Sequence, residues 1–84
     1  MNQLNTILTE KGLTRQQIQV TNGVSRGLSN KEIATQLGIL EKTVKFHLTN
    51  IYKKMGLKSR AQLIVFCLPY LTFSDPFQTE STEE

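Results

Sequence analysis

Cysteine is nearly missing from this chain: Cys67 stands alone, and one sulfur closes no internal disulfide. Histidine is as scarce, with His47 unaccompanied by a nearby Asp, Cys or second His. No structural metal site, nucleophile–base pair, paired carboxylates or phosphate-cradling glycine loop can be assembled from what remains, so neither an enzyme nor a cofactor is expected. Long hydrophobic runs are also lacking. The longest, Leu63 to Leu68, has six residues, against the roughly 20 needed to cross a bilayer. The N-terminus shows no basic-then-apolar signal pattern. These absences point to a reducing, cytoplasmic setting with no membrane partner.

What is present is a division of charge. Residues 1–71 hold ten cations against three acids, a balance of +7, while residues 72–84 hold four acids and no cation, a balance of −4. A small basic body suits a polyanionic partner. With 84 residues there is room for one domain, and a chain of this size buries only about 60–65% of its unfolded surface. A second copy of the chain would enlarge so thin a core.

Helical punctuation recurs along the sequence. Leu4, Ile7 and Leu8 precede Gly12, a spacing that predicts a short helix over 1–11 with a glycine stop. Thr14 caps a second helix whose inward stripe is Ile18, Val20, Thr21 and Val24, with Gly23 suited to close packing. Ser29 and Glu32 form a capping box that opens a third helix over 29–37, closed by Gly38. The fourth, 41–55, carries two stripes. Val44, Leu48, Ile51, Tyr52 and Met55 make a core face, while Lys42, Lys45, Phe46, Thr49 and Lys53 make a face without an acid. Ser59 and Gln62 open a fifth helix that Pro69-Tyr70 is expected to end. No strand-like alternation competes with these helices.

Two short helices joined by a Gly-containing turn, the second with a basic outer face, read as a helix-turn-helix. Helix 29–37 would cross the phosphate backbone, and helix 41–55 would enter the major groove. Lysines can neutralise phosphates or donate to guanine, a threonine can bond base edges, and a phenylalanine can meet a thymine methyl. Taken alone, the lysine stripe fits an ordinary solvated face equally well.

The same residues resemble a known family. Gly27-Leu-Ser-Asn-Lys-Glu-Ile-Ala-Thr-Gln-Leu-Gly-Ile, then Lys42-Thr-Val-Lys-Phe-His-Leu-Thr-Asn-Ile-Tyr-Lys-Lys-Met-Gly-Leu-Lys-Ser-Arg-Ala-Gln, is similar to the LuxR/GerE-type DNA-binding domain of bacterial transcription regulators. The resemblance covers about residues 13–66. It implies an all-α, four-helix domain over 13–71, here with a short helical N-terminal extension at 1–12 and a disordered acidic tail at 72–84. By position it assigns Lys45, Phe46 and Thr49 to base reading. Asn30, Lys31, Lys42 and Thr43 fall to phosphate or groove-edge contact, with Lys53 and Lys54 as weaker candidates. Ala61, Ile64, Val65 and Phe66 fall to a homodimer surface on a two-fold-related duplex, and another LuxR-type regulator or RNA polymerase is a further implied partner.

Three departures stand out. Gln16-Gln17 replaces the usual Arg-Glu pair of the first family helix, so a buried polar contact is missing or replaced. Leu40 replaces the serine that usually caps the recognition helix, at a typical cost of ~1 kcal/mol. Only about twelve residues precede the domain, where family members commonly carry a sensor domain; the layout is that of stand-alone, GerE-like members, and control by phosphorylation or autoinducer within the chain is not expected. These departures also suit an anti-regulator that pairs with a full-length relative and blocks it. The last domain of a sigma factor shares the helix-turn-helix but normally follows other sigma regions. His47 reads most simply as a helix-flank imidazole, and Cys67 as a small buried hydrophobe. The apolar run 63–68 points in all directions around one helix, so a two-fold partner, residues 1–11 or Tyr70-Leu71-Phe73 must cover part of it.

Overall fold

The computed structural model describes residues 3–73, which form five helices: α1 (Gln3–Glu10), α2 (Arg15–Ser25), α3 (Asn30–Leu37), α4 (Glu41–Met55) and α5 (Arg60–Phe73). The described residues are all-helical. The ending expected to be disordered lies outside them, apart from positions 72 and 73, which close α5.

Local chemistry sets most of the boundaries. Thr14 Oγ1 accepts from Gln17 N at 3.2 Å while Gln17 Oε1 accepts from Thr14 N at 3.0 Å. Ser29 and Glu32 repeat this reciprocal box at the start of α3. Gly38 leaves α3 at φ 69°, the left-handed region where a side chain is disfavoured, and Ile39 N–H reaches back to Ala34 O at 3.0 Å. That closure lets the chain turn sharply into α4. At α5 the box is incomplete: Ser59 Oγ accepts from Gln62 N, but Gln62 Oε1 accepts from Lys58 N.

α2 sits at the centre and packs against all four other helices. Its inner face joins Val20, Thr21 and Val24, as the spacing suggests, with Gln17 and Gly23 also buried and Ile18 only half-buried. Around it the core gathers Leu4 and Leu8 from α1, Ile33 and Ala34 from α3, Val44, Leu48 and Ile51 from α4, and Leu63 and Cys67 from α5. α1 therefore contributes two fully enclosed leucines to the core it shares with the helix-turn-helix.

One expected boundary is corrected. α5 does not stop before Pro69 but runs through it to Phe73. Proline removes the N–H that would bond the carbonyl of Val65 and crowds that carbonyl. Both Val65 and Pro69 are exposed, so water can satisfy the abandoned oxygen. Continuation is rewarded inside, where Tyr70 and Leu71 pack on the core and the Tyr70 ring lies 5.8 Å from that of Phe66.

Candidate nucleic-acid interface

α4 holds fifteen residues, about 22 Å of helix at 1.5 Å per residue. Val44, Leu48 and Ile51 fix one side of it in the core, with Tyr52 and Met55 half-buried beside them. The opposite side is open. Lys42, Lys45, Phe46, Thr49 and Lys53 are all exposed, Phe46 at 64%. A large aromatic bare among cations is able to meet the thymine methyl group that the major groove of a duplex presents. Thr49 Oγ1 donates to Lys45 O at 3.2 Å, which leaves its oxygen lone pairs outward.

The other candidates fall into distinct settings. Lys31 is exposed at the start of α3, and Thr43 is half-buried in the first turn of α4. Lys54 is exposed along its stem, but its ammonium donates to Gly12 O and Gln17 Oε1, both at 2.9 Å. Asn30 is half-buried and accepts from Arg60. Among the α5 residues assigned to a dimer surface, Ala61 and Val65 are exposed and share a face with Leu68. Ile64 is half-buried, and Phe66 is half-buried against Tyr70. α1 and α2 both pack on α5, in which Leu63 and Cys67 are fully buried, while Val65 at 63% and Leu68 at 49% stay bare.

Three long-range contacts tie α2 to α4 and α3 to α5, and local sequence pattern signals none of them. His47 Nε2 and Gln16 Oε1 lie 3.0 Å apart and tie the middle of α4 to α2. Gln17 Oε1 serves both the Thr14 cap and the Lys54 ammonium, so the glutamine pair supplies a polar contact where the family's Arg-Glu pair is absent. Arg60 bridges the start of α5 to the start of α3. The only local hint was residue type: long polar side chains flanking apolar stripes. Tyr52 borders this framework, and burial pushes its hydroxyl above the usual range while the Arg60 charge pulls it back.

Leu40 occupies the cap position of α4 with a suitable backbone, φ −78° and ψ 150°, yet makes no side-chain cap bond. Glu41 in the first turn offsets part of the missing interaction through the helix dipole. Among the described residues no group of three His, Cys, Asp or Glu side chains is placed to hold a metal ion, and no helix is long and apolar enough to cross a membrane.

Relatives share this arrangement in sequence. Residues 11–67 match the GerE family, bacterial regulatory proteins of the luxR family. Transcriptional regulatory protein YdfI of Bacillus subtilis (strain 168) is 39% identical over 59 residues, covering 70% of this chain and 28% of the relative. Nitrate/nitrite response regulator protein NarP of Escherichia coli (strain K12) is 39% identical over 56 residues, covering 67% and 26%. Rv0890c of Mycobacterium tuberculosis (strain ATCC 25618 / H37Rv) is 50% identical over 52 residues, covering 62% of this chain and 6% of the relative. The chain thus matches a small part of each of these much longer proteins, whose shared description is regulatory rather than enzymatic. With a capped short helix, a glycine turn and an open basic helix in the order that the matched segment requires, the chain belongs to the luxR family of bacterial regulatory proteins.

Proposed function

We propose that this protein is a cytoplasmic transcription regulator that binds two-fold-related duplex DNA as a homodimer, with α4 in the major groove and α5 pairing the two copies. The observation that carries this reading is the open face of α4, where Lys42, Lys45, Phe46, Thr49 and Lys53 stand exposed on a helix whose other side is locked in the core. Lys45, Phe46 and Thr49 read base edges. Asn30, Lys31, Lys42 and Thr43 meet phosphates or the groove edge, as Lys53 does, while Lys54 must exchange its two internal acceptors before it can join them. Ala61, Ile64, Val65 and Phe66 belong to the dimer surface, with Val65 the most exposed of the large ones. RNA polymerase is the natural further partner of such a regulator.

The direct test is selection of bound duplexes from a random-sequence pool at ~150 mM salt, where non-specific electrostatic binding is weakened. Enrichment of paired inverted half-sites is expected. On the enriched site, Lys45→Ala should cost ~1–3 kcal/mol and relax specificity at one position, as a lost base contact does. An equal loss on enriched and random duplexes would make Lys45 a phosphate contact instead.

A second reading keeps α5 and drops the DNA: an anti-regulator that pairs with a full-length relative. The uncapped start of α4 at Leu40 and the bare stripe of Val65 and Leu68 favour it. Folded protein that enriches no duplex yet binds a full-length relative through α5 would establish that reading.

A further inference from the structure

Arg60, the first residue of α5, reaches across to the entrance of α3. Its guanidinium donates from Nη1 to Asn30 Oδ1 at 2.6 Å and from Nη2 to the carbonyl of Leu28. Leu28 precedes the Ser29 cap and Asn30 is the first residue of α3, so one side chain pins both sides of the cap.

The chemistry of this clamp fixes which way Asn30 faces. A guanidinium has five donors and no acceptor. Only the oxygen of the Asn30 carboxamide can meet it, and the Nδ2 amino group is therefore turned away. Among the described residues nothing accepts from that Nδ2. Asn30 is half-buried at the positive end of α3, beside exposed Lys31. A cation on its oxygen also polarises the amide and strengthens the remaining N–H donors.

We propose that Arg60 is a positioning residue: it holds Asn30 with its donor end outward, where Nδ2 gives a hydrogen bond to a backbone phosphate of the duplex. This inference rests on the DNA-binding reading above. Arg60 acts through Asn30 and spends its own donors inside the protein. Without the clamp, the carboxamide rotates freely and presents its oxygen to the phosphate as readily as its amino group. Phosphate contacts set register and carry no sequence information, so the effect falls equally on all duplexes.

The test is a double-mutant cycle on the full chain, read as affinity for the selected operator and for a scrambled duplex of equal length. Asn30→Ala should weaken both by about ten- to a hundredfold, as a lost charge-assisted hydrogen bond does. Arg60→Met should weaken both by the same factor, and the double variant no further. Asn30→Asp keeps an acceptor for Arg60 but has no donor, so its melting temperature should hold or rise while its affinity falls at least as far as that of Asn30→Ala. This last variant also serves if Arg60→Met does not fold. The proposal is overturned if Asn30→Ala or Asn30→Asp binds like wild type, if the loss is confined to the operator, or if the double variant loses the product of the two single factors. Wild-type protein that binds neither duplex overturns the DNA reading and this proposal together; every other outcome leaves the DNA reading standing.

Discussion

The spacing of α2 from α3 is set by one missing side chain. A Cβ added at Gly23 would lie 2.7 Å from Cγ1 and 3.0 Å from Cδ1 of Ile33, which is buried at 2% exposure. Alanine gains ~1 kcal/mol in helix propensity over glycine. Overpacking a core typically costs ~1–3 kcal/mol and moves backbone. At this separation something must shift, so the clash outweighs the gain, and Gly23→Ala should lower stability by up to about 2 kcal/mol net. Chemical denaturation of both proteins checks this; a gain would mean that Ile33 has room to turn. Cys67 sets a second residue-scale behaviour. Burial pushes its thiol from 9.0 up to about 11. Between those values the unfolded chain has released a proton that the folded chain keeps, so stability is full below pH 9 and falls as pH rises through the window. The urea midpoint should drop across that range, with a smaller drop in Cys67→Ala, and thiol reagents at pH 8 should label Cys67 only as fast as the protein unfolds.

At the scale of elements, how much the sequence reveals depends on how local the governing chemistry is. Thr14, Ser29 and Gly38 mark helix ends by bonds spanning a few residues, and the structure places those ends where the pattern does. The apolar stripe of α4 was legible for the same reason. The open basic face was legible as a pattern too, but composition alone could not separate a groove-reading face from a solvated one. Pro69 misled because proline was weighed without knowing that Val65 and Pro69 lie on an exposed face and that Tyr70 and Leu71 have a core to join. The three clamps, Gln16 with His47, Gln17 with Lys54 and Asn30 with Arg60, join residues about thirty or more apart and leave no periodic trace. α1 shows what a short pattern hides: three apolar positions predicted a helix, not its weight in the fold. Leu8 is fully enclosed among α2 and α5, so Leu8→Ala should cost ~2–5 kcal/mol, the range for a leucine removed from a packed core. A loss below 1 kcal/mol would mean that α1 is loosely docked and that the remaining four helices are self-sufficient.

For the whole molecule, the two bare surfaces answer to different physics and can be separated by experiment. The α4 face is cationic and its binding should weaken steeply with salt, because each neutralised phosphate releases a counterion. The α5 stripe of Ala61, Val65 and Leu68 is apolar and should respond to salt hardly at all. In the homodimer reading these terms multiply on a paired site, since the second copy binds at the effective concentration fixed by the first. Val65 is the residue to change: at 63% exposure it tolerates a polar side chain in the monomer, whereas Phe66 packs on Tyr70 and its loss would confuse pairing with folding. In a pair, Val65→Glu places like charges near a two-fold axis, a cost of several kcal/mol. The variant should melt as the wild type does and bind a single half-site with unchanged affinity and salt slope. On paired inverted half-sites it should lose the advantage over one half-site, and its salt slope should fall toward the single-site value. Wild-type binding of the paired site by Val65→Glu would remove α5 from the interface and move the search for the pairing surface elsewhere on the molecule.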